Sequence, residues 1–519
     1  MISTNRASVV NNVIITTIGT YGETLLALIA SAIIARALGP SEYGIYTYVI
    51  FLSGWMIKLS NISLPATAIR FVAESRGSGK LERSSRVAGI LLTRQTINSV
   101  LVCLGFILFL QFFTPEILED QHSLLYALIC VAVFFKARYV FTVSIAKGHE
   151  RFDIEAISTI LVGIATIAMV AVLAFVSQRV DSFVMVYTIS SYLMLVAAWH
   201  LCRSNGIRYE RGPIDSEYLD KVHKYRRLAV LLGLVALLGG SSLEMFLLGQ
   251  YATTAQVGFF ALSIALTRGL NELCTAGLST ILMPRMAHAF GADNVKGVRN
   301  IFLESTRFYI FFGIGLGLSG LVIAEPVIFI VFGSEFIDAA WVFAAVLMIA
   351  GYGMTSAAVG AFLSTTDRQD VRVKFAVSVL IVHFVLVFSL VPLYGLLGAV
   401  VSSACSTLFR VVLGFQWVVR NLGVALPYGL YLRLLSAGLL AMAPALALAH
   451  YVDFVAVDIF AAVLFAGLYL LLSIKLGCWY SKDLDLVKHV VSLLPGAMST
   501  PLTNWINAME LKYGSGADE

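Results

Sequence analysis

Residues Thr24–Phe71 read TLLALIASAIIARALGPSEYGIYTYVIFLSGWMIKLSNISLPATAIRF. Two apolar runs, the first reaching back to about residue 12, flank the turn Leu38-Gly39-Pro40-Ser41-Glu42, and each holds the roughly 20 helical residues needed to cross about 30 Å of hydrocarbon. Only Arg36, Glu42, Lys58 and Arg70 carry charge in this stretch. It reads as two antiparallel membrane crossings joined by a short turn. The pattern recurs to the far end of the chain, with spans near 12–36, 45–69, 87–112, 122–147, 154–177, 182–202, 228–250, 256–283, 300–324, 338–364, 373–393, 396–419, 432–450 and 454–475. The 519 residues are 59% hydrophobic and 13% charged, with a mean hydropathy of +0.87. A soluble domain carries about a quarter charged residues, so the expected fold class is an all-α membrane protein of about 14 transmembrane helices.

Basic residues orient the ladder. With the N-terminus inside, 27 Lys and Arg fall on the cytoplasmic side, and only Arg36 and Arg179 on the other. That bias predicts both termini in the cytoplasm. No cleavable signal peptide is expected, since the first dozen residues are polar. The longest connection, 203–227, ends in an amphipathic run of Tyr218, Leu219, Val222 and Tyr225, and a second stripe (Leu486, Val487, Val490, Val491, Leu494) marks the tail. Six scattered cysteines form no CxxC pair and read as packing residues.

The chain also repeats itself at an offset near 214. The turn Ala37–Gly44 falls opposite Tyr251–Gly258, Tyr46 opposite Phe260, Arg70 opposite Arg285 and Arg94 opposite Arg307. Six spans separate the echoes, so the halves share one orientation about a pseudo-two-fold axis along the membrane normal. The expected organisation is an N-lobe at 1–203 (helices one to six), a linker at 204–227 and a C-lobe at 228–420 (helices seven to twelve). Two appended helices at 421–476 and a cytoplasmic tail at 477–519 follow. The lobes are two pseudo-symmetric six-helix bodies.

Seven bases lie inside spans: Lys58, Arg94, Lys136, Arg138, Arg268, Arg307 and Arg410. Facing lipid together they would cost about 20 kcal/mol, so they line a watery cavity or are paired. The acidic residues well inside spans are Glu23, Glu244 and Glu272. The excess is positive, and an anion such as a diphosphate head group would balance it. Lys58 and Arg268 are mid-span on helices two and eight, which the repeat makes equivalent. Arg94 and Arg307 are suited to first capture near the inner side, or alternatively snorkel to the interface. Lys136 and Arg138, two positions apart, belong to different helix faces. Glu272 follows Arg268 by four, the spacing of an intrahelical ion pair. Glu23 and Glu244, on the first helix of each half, are candidates for H⁺ or Na⁺ coupling. His383 is titratable, or alternatively a hydrogen-bonded structural histidine.

Two motifs mislead. Gly315-Leu-Gly317-Leu-Ser-Gly320 matches a dinucleotide fingerprint but lies in a span, where its glycines let helices approach closely. Asn61-Ile-Ser63 matches a glycosylation sequon within span two. Without a Walker motif, an HExxH or a nucleophile elbow, neither catalysis nor a cofactor is expected, and transport would draw on an ion or substrate gradient. No nucleic-acid partner is expected.

Several motifs carry a family resemblance: Ala35-Arg-Ala-Leu-Gly-Pro-Ser-Glu-Tyr-Gly-Ile-Tyr46, Ala68-Ile-Arg-Phe-Val-Ala73, Val257-Gly-Phe-Phe260, Met283-Pro-Arg285, Phe332-Gly-Ser-Glu-Phe336 and Tyr394-Gly-Leu-Leu-Gly-Ala399. Over nearly its whole length the chain resembles the polysaccharide-transporter branch of the multidrug/oligosaccharidyl-lipid/polysaccharide exporter superfamily, the O-antigen and exopolysaccharide unit flippases. The resemblance implies a V-shaped pair of lobes in a bacterial inner membrane. Central cations would engage a polyprenyl-pyrophosphate-linked oligosaccharide while its tail stays in membrane lipid. It implies that Lys58 and Arg268 hold the diphosphate, as do the corresponding helices of lipid II flippases, and allows contacts with polysaccharide polymerase and export proteins. An ion-coupled drug or cation antiporter of the same superfamily is the first alternative, a glycan polymerase or ligase the second. The in-span bases argue against the former and the short external loops against the latter.

Overall fold

A computed structural model describes residues 6–479, apart from 114, 120–122, 211, 240, 293, 367, 423–427 and 452–454, and apart from scattered side chains, those of residues 6–14 among them. The stripe at 486–494 lies outside the described residues. Every regular element described is a helix, and eleven stretches are long and apolar enough to cross a membrane. Two of these exceed one crossing. Gly19–Ser60 has 42 residues and Asp370–Asn421 has 52, at least double the ~20 that one crossing requires. Each breaks at a glycine with positive φ: Gly39 (72°) in α1 (Arg6–Ser60) and Gly395 (52°) in α13 (Gln369–Leu422). An L side chain resists that conformation, and Pro40 and Pro392 each remove a helical donor beside the bend. Each element therefore supplies two crossings, making thirteen. The fourteenth, at 228–250, is split between α7 (Ser216–Leu238) and α8 (Ser242–Tyr251).

Span two is discontinuous. Its helix stops at Ser60 and restarts as α2 (Leu64–Gly77), with Ser63 at φ 65° and Pro65 in the first turn. Asn61 is buried and donates from Nδ2 to the Ala137 carbonyl at 3.0 Å, so the sequon-like asparagine anchors an internal turn. The first six crossings are completed by α3 (Leu81–Phe112), α4 (Ser123–Gly148), α5 (Asp153–Val176) and α6 (Val180–Ser204). The second six comprise α7–α8, α9 (Thr254–Gly291), α10 (Val295–Phe332), α11 (Ala340–Gly353) with α12 (Ser356–Thr365), and α13. The appended pair is α14 (Tyr428–Tyr451) and α15 (Val455–Lys475). Outward faces stay apolar: Phe112 is 88% and Phe175 92% exposed, a cost in water and none in lipid.

The chain packs as two compact units. One runs to Ala265 and adds Val331–Phe336 and Phe384–Ser402; the other takes Leu266–Ile330, Ile337–His383 and the chain from Ser403. In the first unit the repeat meets itself. A Cβ on Gly258 would lie 3.2 Å from the Gly44 Cα and 3.1 Å from the Pro40 carbonyl, and one on Gly44 would overlap the Thr254 carbonyl. Gly44 and Gly258 are related by the 214-residue offset, and equivalent residues touch only near the axis relating them. Tyr43 is buried beside this contact, sharing a 2.7 Å hydrogen bond with Ser31 Oγ and presenting its ring edge-on to Phe336.

In the second unit the misleading glycine motif is a packing device. Gly313, Gly317 and Gly320 of α10 lie against Gly351, Met348 and Ala344 of α11, and Gly315 faces the Tyr469 ring of α15. The appended helices seat Ala441, Phe465 and Tyr469 against Ile314 and Leu318 of α10.

The glycine contact predicts a mutational contrast. Gly44→Val should destabilise the purified protein by more than about 3 kcal/mol, the upper range for overpacking, because backbone opposes it. Gly54→Ala, where nothing lies within 4 Å, should change stability by under about 1 kcal/mol. Thermal unfolding in detergent compares the two.

Candidate functional site

The in-span charges of the first unit take distinct surroundings. Lys58 is exposed in the last turn of α1, immediately before the Asn61–Ser63 break. A helix C-terminus favours a cation there. Lys136 and Arg138 diverge as their two-residue spacing requires. Lys136 Nζ lies 2.8 Å from Met194 Sδ on α6 and 5.1 Å from the Tyr139 ring centre, and it feels Glu23 of α1 and Glu155 of α5. Arg138 instead donates to Thr96 Oγ1 on α3. Glu23 is exposed, whereas Glu244 is fully buried in the first turn of α8. Lys147 and Glu155, 2.6 Å apart, close an ion pair between α4 and α5.

Arg94 of α3 lines a cleft of about 270 Å³ with Leu91, Ile214, Val222, His223 and Arg226. Its Nη2 is 3.0 Å from His223 Nε2. A guanidinium only donates, so Nε2 accepts, which leaves the imidazole neutral with its proton on Nδ1. Burial first, then the charges of Arg94 and Arg226, hold the His223 pKa below the usual imidazole range. Sequence reading assigned His223 and Arg226 to a connection and missed them. The signal was the amphipathic run: Tyr218, Val222 and Tyr225 turn inward, carrying their basic neighbours with them.

That run docks on protein. Tyr218 is buried, its hydroxyl 3.1 Å from Ser75 Oγ, with the Arg83 guanidinium 4.0 Å over its ring. Arg70 lies 4.4 Å over the Tyr225 ring, and Lys221 pairs with Glu74 at 2.7 Å.

In the second unit, Arg268 is exposed and Glu272 half-buried on α9, and no ion pair joins them among the described residues. Arg307 of α10 lines a cleft of about 240 Å³ with Phe308, Phe311, Leu434 and Trp479. Arg94 and Arg307, matched by the repeat, thus each border a cleft within their own unit. Arg410 of α13 lies beside Gly353 and Tyr352. His383 is buried, with Nδ1 3.1 Å from Ser406 Oγ, a hydrogen-bonded histidine inside the helical packing. Among the described residues, Arg94, Lys136, Arg138, Arg268 and Arg410 have no carboxylate in ion-pair range.

Residues 9–290 match the polysaccharide biosynthesis protein family. A probable low-salt glycan biosynthesis flippase of Haloferax volcanii, Agl15, is 20% identical over 401 residues, covering 76% of this chain and 80% of that protein. Among solved structures, the lipid II flippase MurJ in an inward closed conformation aligns with a TM-score of 0.68 at 13% identity, over 89% of this chain and 98% of that one. An inward-facing multidrug resistance MATE transporter of the MOP superfamily aligns with a TM-score of 0.60 at 14% identity, over 77% and 94%. These likenesses establish the fold.

The His223 environment gives a sign-definite prediction. Arg94→Gln removes a positive neighbour, so the His223 titration should move up toward the ordinary value. A histidine-resolved NMR titration in detergent reads the shift, and no upward movement would refute the contact.

Proposed function

The chain belongs to the polysaccharide biosynthesis protein family, in the polysaccharide-transporter family of the MOP superfamily, and from that premise we propose that it flips polyprenyl-pyrophosphate-linked oligosaccharide units. The direction is from the cytoplasmic to the outer leaflet of a bacterial inner membrane, by alternating access of the 1–203 and 228–420 lobes, for surface polysaccharide assembly. Both termini are cytoplasmic in this reading, as the distribution of basic residues favours. The name of the Haloferax relative and the fold shared with a lipid II flippase support the substrate class.

One observation carries the proposal: among the described residues, the in-span guanidinium groups of Arg94, Arg138, Arg268 and Arg410 have no carboxylate in ion-pair range. Water must reach them, and a diphosphate supplies the missing charge. Lys58 and Arg268 hold the diphosphate at mid-span. Arg94, Arg307 and Arg410 extend the cationic path, with Lys136 and Arg138 at its flank and Glu272 beside Arg268. Lys58 ends a broken helix, a feature that transporters place at their substrate sites. Glu23 and Glu244 are the coupling carboxylates for H⁺ or Na⁺, with Glu23 within electrostatic reach of Lys136. The MATE-like fold supports a second reading, an ion-coupled antiporter of cationic drugs. The cationic spans disfavour it, because a drug cation would meet like charge.

Uptake of fluorescent polyprenyl-pyrophosphate oligosaccharide into inverted vesicles tests the proposal. Lys58→Glu and Arg268→Glu should each lower uptake at least tenfold at normal membrane insertion. Unchanged uptake in both overturns the site assignment, and ion-driven uptake of a cationic dye by the unmodified protein, with none of the glycolipid, favours the antiporter.

A further inference from the structure

The cleft between α3 and α7 mixes two chemistries. Arg94, His223 and Arg226 line it together with Leu91, Ile214 and Val222. Neither guanidinium has a carboxylate in ion-pair range among the described residues, and Arg94 spends one donor on a neutral imidazole. Two like charges brought to one cleft repel, and the fastening of α7 through Tyr218, Tyr225 and the Lys221–Glu74 pair opposes that repulsion. An anion would turn the repulsion into attraction. Five guanidinium donors on each arginine suit phosphate oxygens, and His223 gains a proton favourably once a negative group lies beside it. Asp220 and Arg227 are the other charges that act on this histidine.

Polarity narrows the ligand. Around the three basic side chains the lining is apolar, with Val87, Ile90, Leu91, Ile214, Leu219 and Val222. That apolar lining favours hydrocarbon next to the phosphate, and free phosphate alone would leave it wet.

We propose that Arg94, His223 and Arg226 form an accessory site for a phosphate or diphosphate head group carried on a hydrocarbon chain, held against Leu91, Ile214 and Val222. It lies on the helix leading into span seven. The assignment rests on the flippase reading for its role, first capture of the carrier lipid, and stands apart from it for its chemistry.

Binding to the full-length detergent-purified protein tests it, with three probes: undecaprenyl diphosphate, inorganic pyrophosphate, and phosphatidylglycerol as competitor. Arg94→Gln and Arg226→Gln should each weaken undecaprenyl diphosphate at least tenfold, with Arg94→Lys and Arg226→Lys recovering part of the loss. Pyrophosphate should bind at least tenfold more weakly than the prenyl form. Displacement by phosphatidylglycerol at matching concentration assigns the site to bulk anionic lipid; its failure to displace assigns it to the carrier lipid, and both keep the proposed chemistry. Wild-type affinity in Arg94→Gln and Arg226→Gln, combined or single, overturns the site, as does equal affinity for pyrophosphate. A wild-type protein that binds the prenyl diphosphate here and transports no glycolipid removes the flippase reading alone.

Discussion

A guanidinium in hydrocarbon without a counter-charge is costly enough that its surroundings have to be explained, and among the described residues Arg94, Arg138, Arg268 and Arg410 have no carboxylate in ion-pair range. Each in-span base costs about 3 kcal/mol on insertion scales unless water, a hydrogen-bond acceptor or an anion offsets it. The described structure offers acceptors to some: Thr96 to Arg138, Met194 and the Tyr139 ring to Lys136, His223 to Arg94. None of these neutralises the charge. That positive excess is what the proposed wet path and its negatively charged substrate would balance.

The scaffold that holds those charges depends on backbone meeting backbone. Gly44 against Gly258 in one unit, and Gly313 and Gly317 against Gly351 in the other, let helices approach without intervening side chains. Helices in lipid gain little from burying apolar groups, which lipid tails solvate equally well, so close packing of small residues takes over. The bends at Gly39 and Gly395 have a related logic, because only glycine reverses the chain there without strain.

The spans were legible because hydrocarbon thickness imposes a length that composition reveals directly. The repeat was legible through turns such as Ala37–Gly44, and its structural meaning emerged in the meeting of Gly44 with Gly258. Other features depend on distant partners. Arg94 and His223 are 129 residues apart, so no spacing rule joins them. The discontinuity at Asn61–Ser63 was marked by Pro65, yet the apolar run around it reads as one continuous span. Arg268 and Glu272 have ideal spacing on α9, and the exposed arginine forms no pair with that glutamate. Local propensity permits such a pair and worth of a few tenths of a kcal/mol does not enforce it.

Water access to the mid-span cations is the most direct measurement. In a cysteine-free background, Lys58→Cys and Arg268→Cys proteins in sealed vesicles would be treated with a charged, membrane-impermeant thiol reagent. Labelling at both positions, suppressed by polyprenyl-pyrophosphate oligosaccharide, is the predicted result. Resistance of both positions from either side of the membrane would contradict a wet cationic chamber.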